Sequence, residues 1–119
     1  MQVQNKVIEE TLPAASGDPV IVLTFTGDIS SASKDAVLGT YQGLTKGAKQ
    51  KILFNFKGVE YLNSSGISLI IQVLMTASKA GETIGICGLS PHFTKVFTMV
   101  GIPKYATLYQ DQATALAKL

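Results

Sequence analysis

A chain of 119 residues that is 46% hydrophobic and 15% charged has the length and composition of one domain built around one core. Its formal net charge is only +2, and its ten basic residues are all lysine (Lys6, Lys34, Lys46, Lys49, Lys51, Lys57, Lys79, Lys95, Lys104, Lys118). Without arginine there is no bidentate fork for phosphate or guanine, which argues against a nucleic-acid partner.

In chain order, Val3 to Thr11 has strand character, and Leu12-Pro13-Ala14-Ala15-Ser16-Gly17-Asp18-Pro19 is a dense cluster of turn formers, so a hairpin is expected. Val20 to Thr26 is β-branched and aromatic, with the continuous apolar start of a strand covered on both faces. Gly27-Asp28-Ile29-Ser30 ends it. Ser30 or Ser31 can then cap a helix whose apolar positions Ala36, Val37, Tyr41 and Leu44 recur at helical spacing, with Gly47 as its stop.

Lys51 to Phe56 reads as a second buried strand, joined through Lys57-Gly58-Val59-Glu60-Tyr61-Leu62 to Asn63-Ser64-Ser65-Gly66. From Ser64 to about Ala80 the spacing predicts the most apolar helix of the chain. Ile67, Ile70, Ile71, Leu74 and Ala77 form its stripe, widened by Leu69, Val73 and Met75, and Gly81 suits its left-handed end. Thr83 to Cys87 reads as another core strand. Ser90-Pro91 opens a helix through Phe93, Val96, Phe97 and Val100, stopped by Gly101 and Pro103. A short strand near Thr107 to Tyr109 and a small helix at Gln112 to Lys118 complete the chain.

Strands that alternate with helices require crossovers. The expected class is therefore α/β, with a mixed, largely parallel sheet of about five strands and about four helices, in one domain spanning residues 1–119. The amino-terminal Met1 to Lys6 lacks the apolar core of a secretory signal. The longest apolar run, Ile67 to Met75, is broken by Ser68 and Gln72 and falls short of the ~20 residues of a membrane span. The single Cys87 cannot form an internal disulfide and reads as a small core residue. A cytoplasmic protein without membrane insertion is expected.

Motifs for catalysis are sparse. Neither phosphate-binding glycine fingerprint is present, and Gly85-Ile86-Cys87-Gly88 is a glycine pair around a strand end. One histidine, His92, and one cysteine do not make a metal site, so no metal or cofactor is expected. Ser64 and Ser65 follow Asn63 and lack the first glycine of a hydrolase elbow. The lysines from Lys46 to Lys51 lack interleaved aromatics and read as a solvated loop.

What remains is Asn63-Ser64-Ser65-Gly66, polar and small, just before the most apolar helix. Asn63 or Ser64 can serve as the N-cap, but two serines, an asparagine and a glycine exceed what a cap requires. A first-turn hydroxyl also suits phosphorylation, because the positive helix end favours an added dianion. About −1.5 to −2 of charge would then stand where a partner meets a small neutral side chain.

Asn63-Ser64-Ser65-Gly66-Ile67 after a buried strand, followed by a long apolar helix, Ile84 to Pro91 and Phe97 to Ile102, resembles the STAS domain family. The nearest class within it is the stand-alone bacterial anti-sigma factor antagonists. The specific element is the Asp-Ser-[Ser/Thr]-Gly signature, supported by Gly27, Gly88 and Gly101. The resemblance implies helices packed mainly on one side of the sheet, no enzymatic activity, and a transcription-regulating partner switch. In that family the second signature hydroxyl, which the resemblance places at Ser65, is phosphorylated by a serine kinase that is itself the anti-sigma factor. The unphosphorylated form binds that kinase and frees the sigma factor, and a separate PP2C-type phosphatase restores it.

Asp28, Ser30, Asn63, Ser64, Ser65 and Gly66 are the partner-binding residues that the resemblance implies. Two positions depart from the pattern: Asn63 stands where the signature has Asp, and Ser30 where antagonists commonly carry an acid, with Asp28 two residues earlier. One alternative is a STAS docking subunit of a larger lipid-transport or stress-signalling assembly, using the same surface without a phosphate. A small hydrolase or ligand-binding protein is another, which a deep apolar pocket with convergent polar groups near Ser65 would favour.

Overall fold

The computed structural model describes residues 5–44 and 50–119. Strands β1 (Lys6–Pro13) and β2 (Pro19–Thr26) form the expected hairpin, antiparallel from Lys6 opposite Thr26 to Pro13 opposite Pro19. The turn is narrower than its composition implies. Leu12, Pro13 and Pro19 belong to the strands, and the Ala14 amide donates to the Asp18 carbonyl at 2.9 Å to close what lies between. Both prolines sit at strand ends, where a missing ladder donor is tolerated.

Strand β3 (Lys51–Gly58) pairs parallel with β2, β4 (Thr83–Cys87) parallel with β3, and β5 (Thr107–Leu108) parallel with β4. The sheet order is β1-β2-β3-β4-β5, so the expected α/β class and largely parallel sheet are the observed ones. Three parallel pairs in succession place the carboxyl ends of β2 to β5 on one rim, where the connecting loops gather.

The β2–β3 crossover departs from the single helix expected there. A 3₁₀ turn (Ser31–Ser33), a π segment (Asp35–Gly39) and a short helix α1 (Thr40–Gly43) follow one another. Ser30 and Ser33 close the first turn as a reciprocal capping box, and Gly39 and Gly43 are weak helix formers. Val37, Tyr41 and Leu44 nonetheless reach the core. The expected stop at Gly47, with Lys46 and Lys49, lies outside the described residues.

Helix α2 (Ser64–Lys79) runs from β3 towards β4, α3 (Pro91–Met99) follows β4, and α4 (Gln112–Lys118) ends the fold. Its buried positions correct the predicted stripe of α2. They are Gly66, Leu69, Ile70, Val73, Leu74 and Ala77, whereas Ile67 and Ile71 are half-buried and Met75 is exposed. The helix is rolled so that Gly66, rather than Ile67, faces inward, for a reason found at its amino end.

Pleating splits the core in two. Leu23, Phe25, Ile52, Phe54, Phe56, Ile84 and Ile86 face α1, α2 and α3, whereas Val20, Val22, Leu53 and Cys87 face Ala115 and Leu119 at the α4 end of the chain. Among the described residues the helices therefore lie mainly on one side, with α4 alone on the other. Phe25 and Phe56 stack at 5.4 Å, and Phe54 and Phe97 meet Phe56 edge-on at 6.4 and 6.0 Å, each pair adding about 0.5–1.5 kcal/mol beyond its burial. On the α4 face the buried Asn55 donates to Gln112 Oε1 at 2.9 Å and accepts from the Lys57 amide at 2.9 Å, so its polar ends are satisfied.

Candidate functional surface

Two loops and one helix end meet on the rim. Ile29, in the loop after β2, bridges Leu62, in the loop after β3, as an isolated parallel pair. The Ile29 amide donates to the Tyr61 carbonyl at 3.0 Å, and the Asn63 amide donates to the Ile29 carbonyl at 3.2 Å. The β2 loop is held from its other side as well. Asn5 Nδ2 donates to the carbonyls of Thr26 (3.0 Å) and Asp28 (2.9 Å), and Ser33 Oγ donates to the Asp28 carbonyl at 3.3 Å while accepting from the Ser30 amide at 3.0 Å.

Gly66 makes this approach possible. A Cβ there would lie 2.1 Å from the Ile29 carbonyl oxygen, so only glycine lets the first turn of α2 seat against the β2 loop. This contact sets the roll of α2 seen in its buried stripe. Gly66 itself, named above among the partner-binding residues, is buried against that carbonyl.

Asn63 is the N-cap. Its Oδ1 accepts from the Gly66 amide at 2.8 Å, and its carbonyl accepts from the Ile67 amide at 2.9 Å. With the cap supplied by Asn63, both Ser64 and Ser65 are left exposed. Asp28 is exposed in the β2 loop, and Ser30 is half-buried, its Oγ accepting from the Ala32 amide at 3.2 Å.

Ser65 borders a shallow groove between the 3₁₀ turn and α2, lined by Ser31, Lys34, Ser68, Leu69 and Gln72. The first turn of α2 contains no acidic residue, and among the described residues Lys34 takes part in no ion pair. The positive helix end and one lysine thus face the same opening, a setting that favours an anion on Ser65. Lys34 was read from the sequence only as one of the scattered lysines and Ser31 only as a possible helix cap, because their position opposite α2 depends on the broken crossover. Tyr61 was missed too: it is 56% exposed beside Asn63 and meets Phe93 edge-on at 6.1 Å.

The groups with shifted proton affinity lie elsewhere and serve structure. Burial pushes the Cys87 thiol up to about 11, and the residue is fully buried, as expected. Burial, then the hydrogen bond to the Glu82 carboxylate, raises the Tyr41 hydroxyl well above the usual tyrosine range. The Thr114 amide holds the Asp111 carboxyl low, at the α4 cap. Ser90 caps α3, and His92 is an exposed neighbour edge-on to Phe93. No group of three potential metal ligands occurs among the described residues, and none of their helices is long and apolar enough to cross a membrane.

Comparison with known proteins agrees with this reading of the fold. An anti-sigma F factor antagonist of Paenibacillus polymyxa is 20% identical over 101 residues, covering 84% of this chain and 86% of that protein. The crystal structure of an anti-sigma factor antagonist from Mycobacterium paratuberculosis superposes with a TM-score of 0.76 at 18% identity, covering 95% of this chain and 92% of that one. The murine anion transporter Slc26a9 carries the same fold in 22% of its chain, with a TM-score of 0.72 at 10% identity over 97% of this chain. The model of the STAS domain family matches residues 12–115, and with the five-stranded sheet and the loop-locked helix end in place, the chain belongs to the STAS domain family.

Proposed function

We propose that this chain is an anti-sigma factor antagonist that binds a serine-kinase anti-sigma factor, releases the sigma factor, and is switched off by phosphorylation of Ser65. The observation that carries the reading is the exposed Ser65 hydroxyl on the first turn of a 16-residue helix whose cap, Asn63, leaves it free. The near full-length match to a protein named as an anti-sigma F factor antagonist supports the same role. Asp28, Ser30, Asn63, Ser64 and Ser65 form the docking surface around it, and Gly66 holds that surface in shape. A PP2C-type phosphatase completes the cycle by removing the phosphate.

The electrostatics are consistent with a switch that does not unfold the protein. A phosphate on Ser65 gains from the helix end and from Lys34 in the bordering groove. The same charge stands where a partner packs against two small hydroxyls, so it weakens docking by repulsion and by the cost of desolvating a dianion. Asn63 in place of an acid keeps the cap and removes one negative charge from the site.

Incubating the protein with ATP and a serine-kinase anti-sigma factor, followed by fragment mass analysis, should place one phosphate on Ser65 and none on Ser65→Ala. By calorimetry Ser65→Ala should bind that kinase as the parent does, and Ser65→Asp at least about tenfold more weakly, about 1.4 kcal/mol. Equal binding by Ser65→Ala and Ser65→Asp, with no label from ATP, would refute the switch and favour a docking subunit of a larger assembly.

A further inference from the structure

We propose that β1 is a docking edge for a second copy of this chain, pairing antiparallel with itself about a two-fold axis at Ile8 to make a continuous ten-stranded sheet. β1 is a terminal strand of eight residues with, among the described residues, only β2 beside it in the sheet, so one side of its backbone faces away from the sheet. Ile8 on this strand is 55% exposed, one of the largest apolar exposures among the described residues.

Edge strands commonly carry charges that block such pairing. Here the charges select one register instead. A two-fold axis normal to the sheet keeps each side chain on its own face, so directly opposed residues must have numbers whose sum is even. With a sum of 16, Ile8 meets Ile8, and Lys6 meets Glu10 twice on the same face. Val7 meets Glu9 on the other.

Moving the axis one residue on sets Glu9 against Glu9, and a further step sets Glu10 against Glu10. A step back sets Val7 against Val7 but leaves Glu9 and Glu10 without a lysine opposite. Only the axis at Ile8 pairs opposite charges and apolar with apolar, and opposed pairs of both kinds stabilise an antiparallel ladder. Lys6, Ile8 and Glu10 share their face with Thr24 and Val22 in the β2 register, so the ladder extends an existing row.

Sedimentation equilibrium of the wild-type chain at rising concentration should show reversible association towards twice the chain mass. Glu10→Lys and Lys6→Glu should each weaken it at least tenfold, and the double variant Lys6→Glu/Glu10→Lys should restore it, since each changed residue then faces its opposite again. Both sites are exposed, and circular dichroism checks that each variant folds. Independently, Ile8→Cys should form an intermolecular disulfide under mild oxidation, because the axis puts residue 8 opposite itself at a Cα separation of about 4.5–5.5 Å. Thr11→Cys, opposite Asn5 in that register, should not. A monomer at all concentrations, a dimer indifferent to Glu10→Lys, failure of the double variant to restore pairing, or equal cross-linking through residues 8 and 11 would each overturn the proposal.

Discussion

Replacing Gly66 with alanine tests the joint on which the candidate surface depends. Ordinary helix energetics favour the change by about 1 kcal/mol, since glycine is a poor helix former. Tertiary structure opposes it. The added Cβ would stand 2.1 Å from the Ile29 carbonyl oxygen and 2.6 Å from its carbon, where contact normally begins near 3.5–4.0 Å. The obstacle is backbone, so the β2 loop and the first turn of α2 must part by more than about 1 Å.

Separation strains the Ile29–Tyr61 and Asn63–Ile29 hydrogen bonds, each with a net value of about 0.5–1.5 kcal/mol. Overpacking adds about 1–3 kcal/mol. With the helix gain subtracted, the net loss is about 1–5 kcal/mol, which at a urea slope of about 2 kcal/mol/M lowers the unfolding midpoint by about 0.5–2.5 M. Gly39→Ala is the control: its backbone is right-handed helical (φ −61°) and nothing lies within 4 Å of the added carbon, so its midpoint should rise or stay level. Urea unfolding followed by circular dichroism reads both. A Gly66→Ala midpoint at or above that of the parent would show that the close approach to Ile29 is not what seats the helix.

Asn63→Ala should lower stability by about 1 kcal/mol through loss of the bond to the Gly66 amide, whereas Asn63→Asp keeps the acceptor and adds about 0.3–1 kcal/mol from the helix end; thermal unfolding at low salt orders them Asp, Asn, Ala. At alkaline pH the buried acids decide. Cys87 deprotonates near 9.0 when unfolded and near 11 when folded, and Tyr41 is likewise raised above its ordinary value of 10.0. The unfolded chain therefore releases these protons first, so stability is unaffected below about pH 9 and falls above it, by up to about 1.4 kcal/mol per pH unit per group. Tyr41→Phe should flatten the part of that slope above pH 10, in urea midpoints measured from pH 8 to 11. Alkylation of Cys87 near pH 8 should follow global unfolding, since the thiol is both buried and protonated.

Local chemistry determined most of the architecture. Alternating strand and helix patterns dictated parallel crossovers, Asn63 and Ser90 announced helix starts by their capping oxygens, Gly81 and Gly101 adopt the left-handed φ that their positions after helices called for, and Cys87 lay in an apolar strand. These signals are legible because each depends on a residue and its near neighbours. The Asn63-Ser64-Ser65-Gly66 segment stood out for the same reason, as more polarity than a cap needs.

Only tertiary structure decided how the pieces meet. Periodicity alone placed Ile67 and Ile71 in the stripe of α2 with Ile70, Leu74 and Ala77, but the Ile29 carbonyl admits nothing larger than glycine and turns Gly66 inward. The crossover after β2 has a helical pattern, yet it is broken into three turns, and this break brings Lys34 and Ser31 opposite Ser65. Such contacts join residues some thirty positions apart, and no local propensity encodes which backbone atom will stand where a side chain would otherwise go.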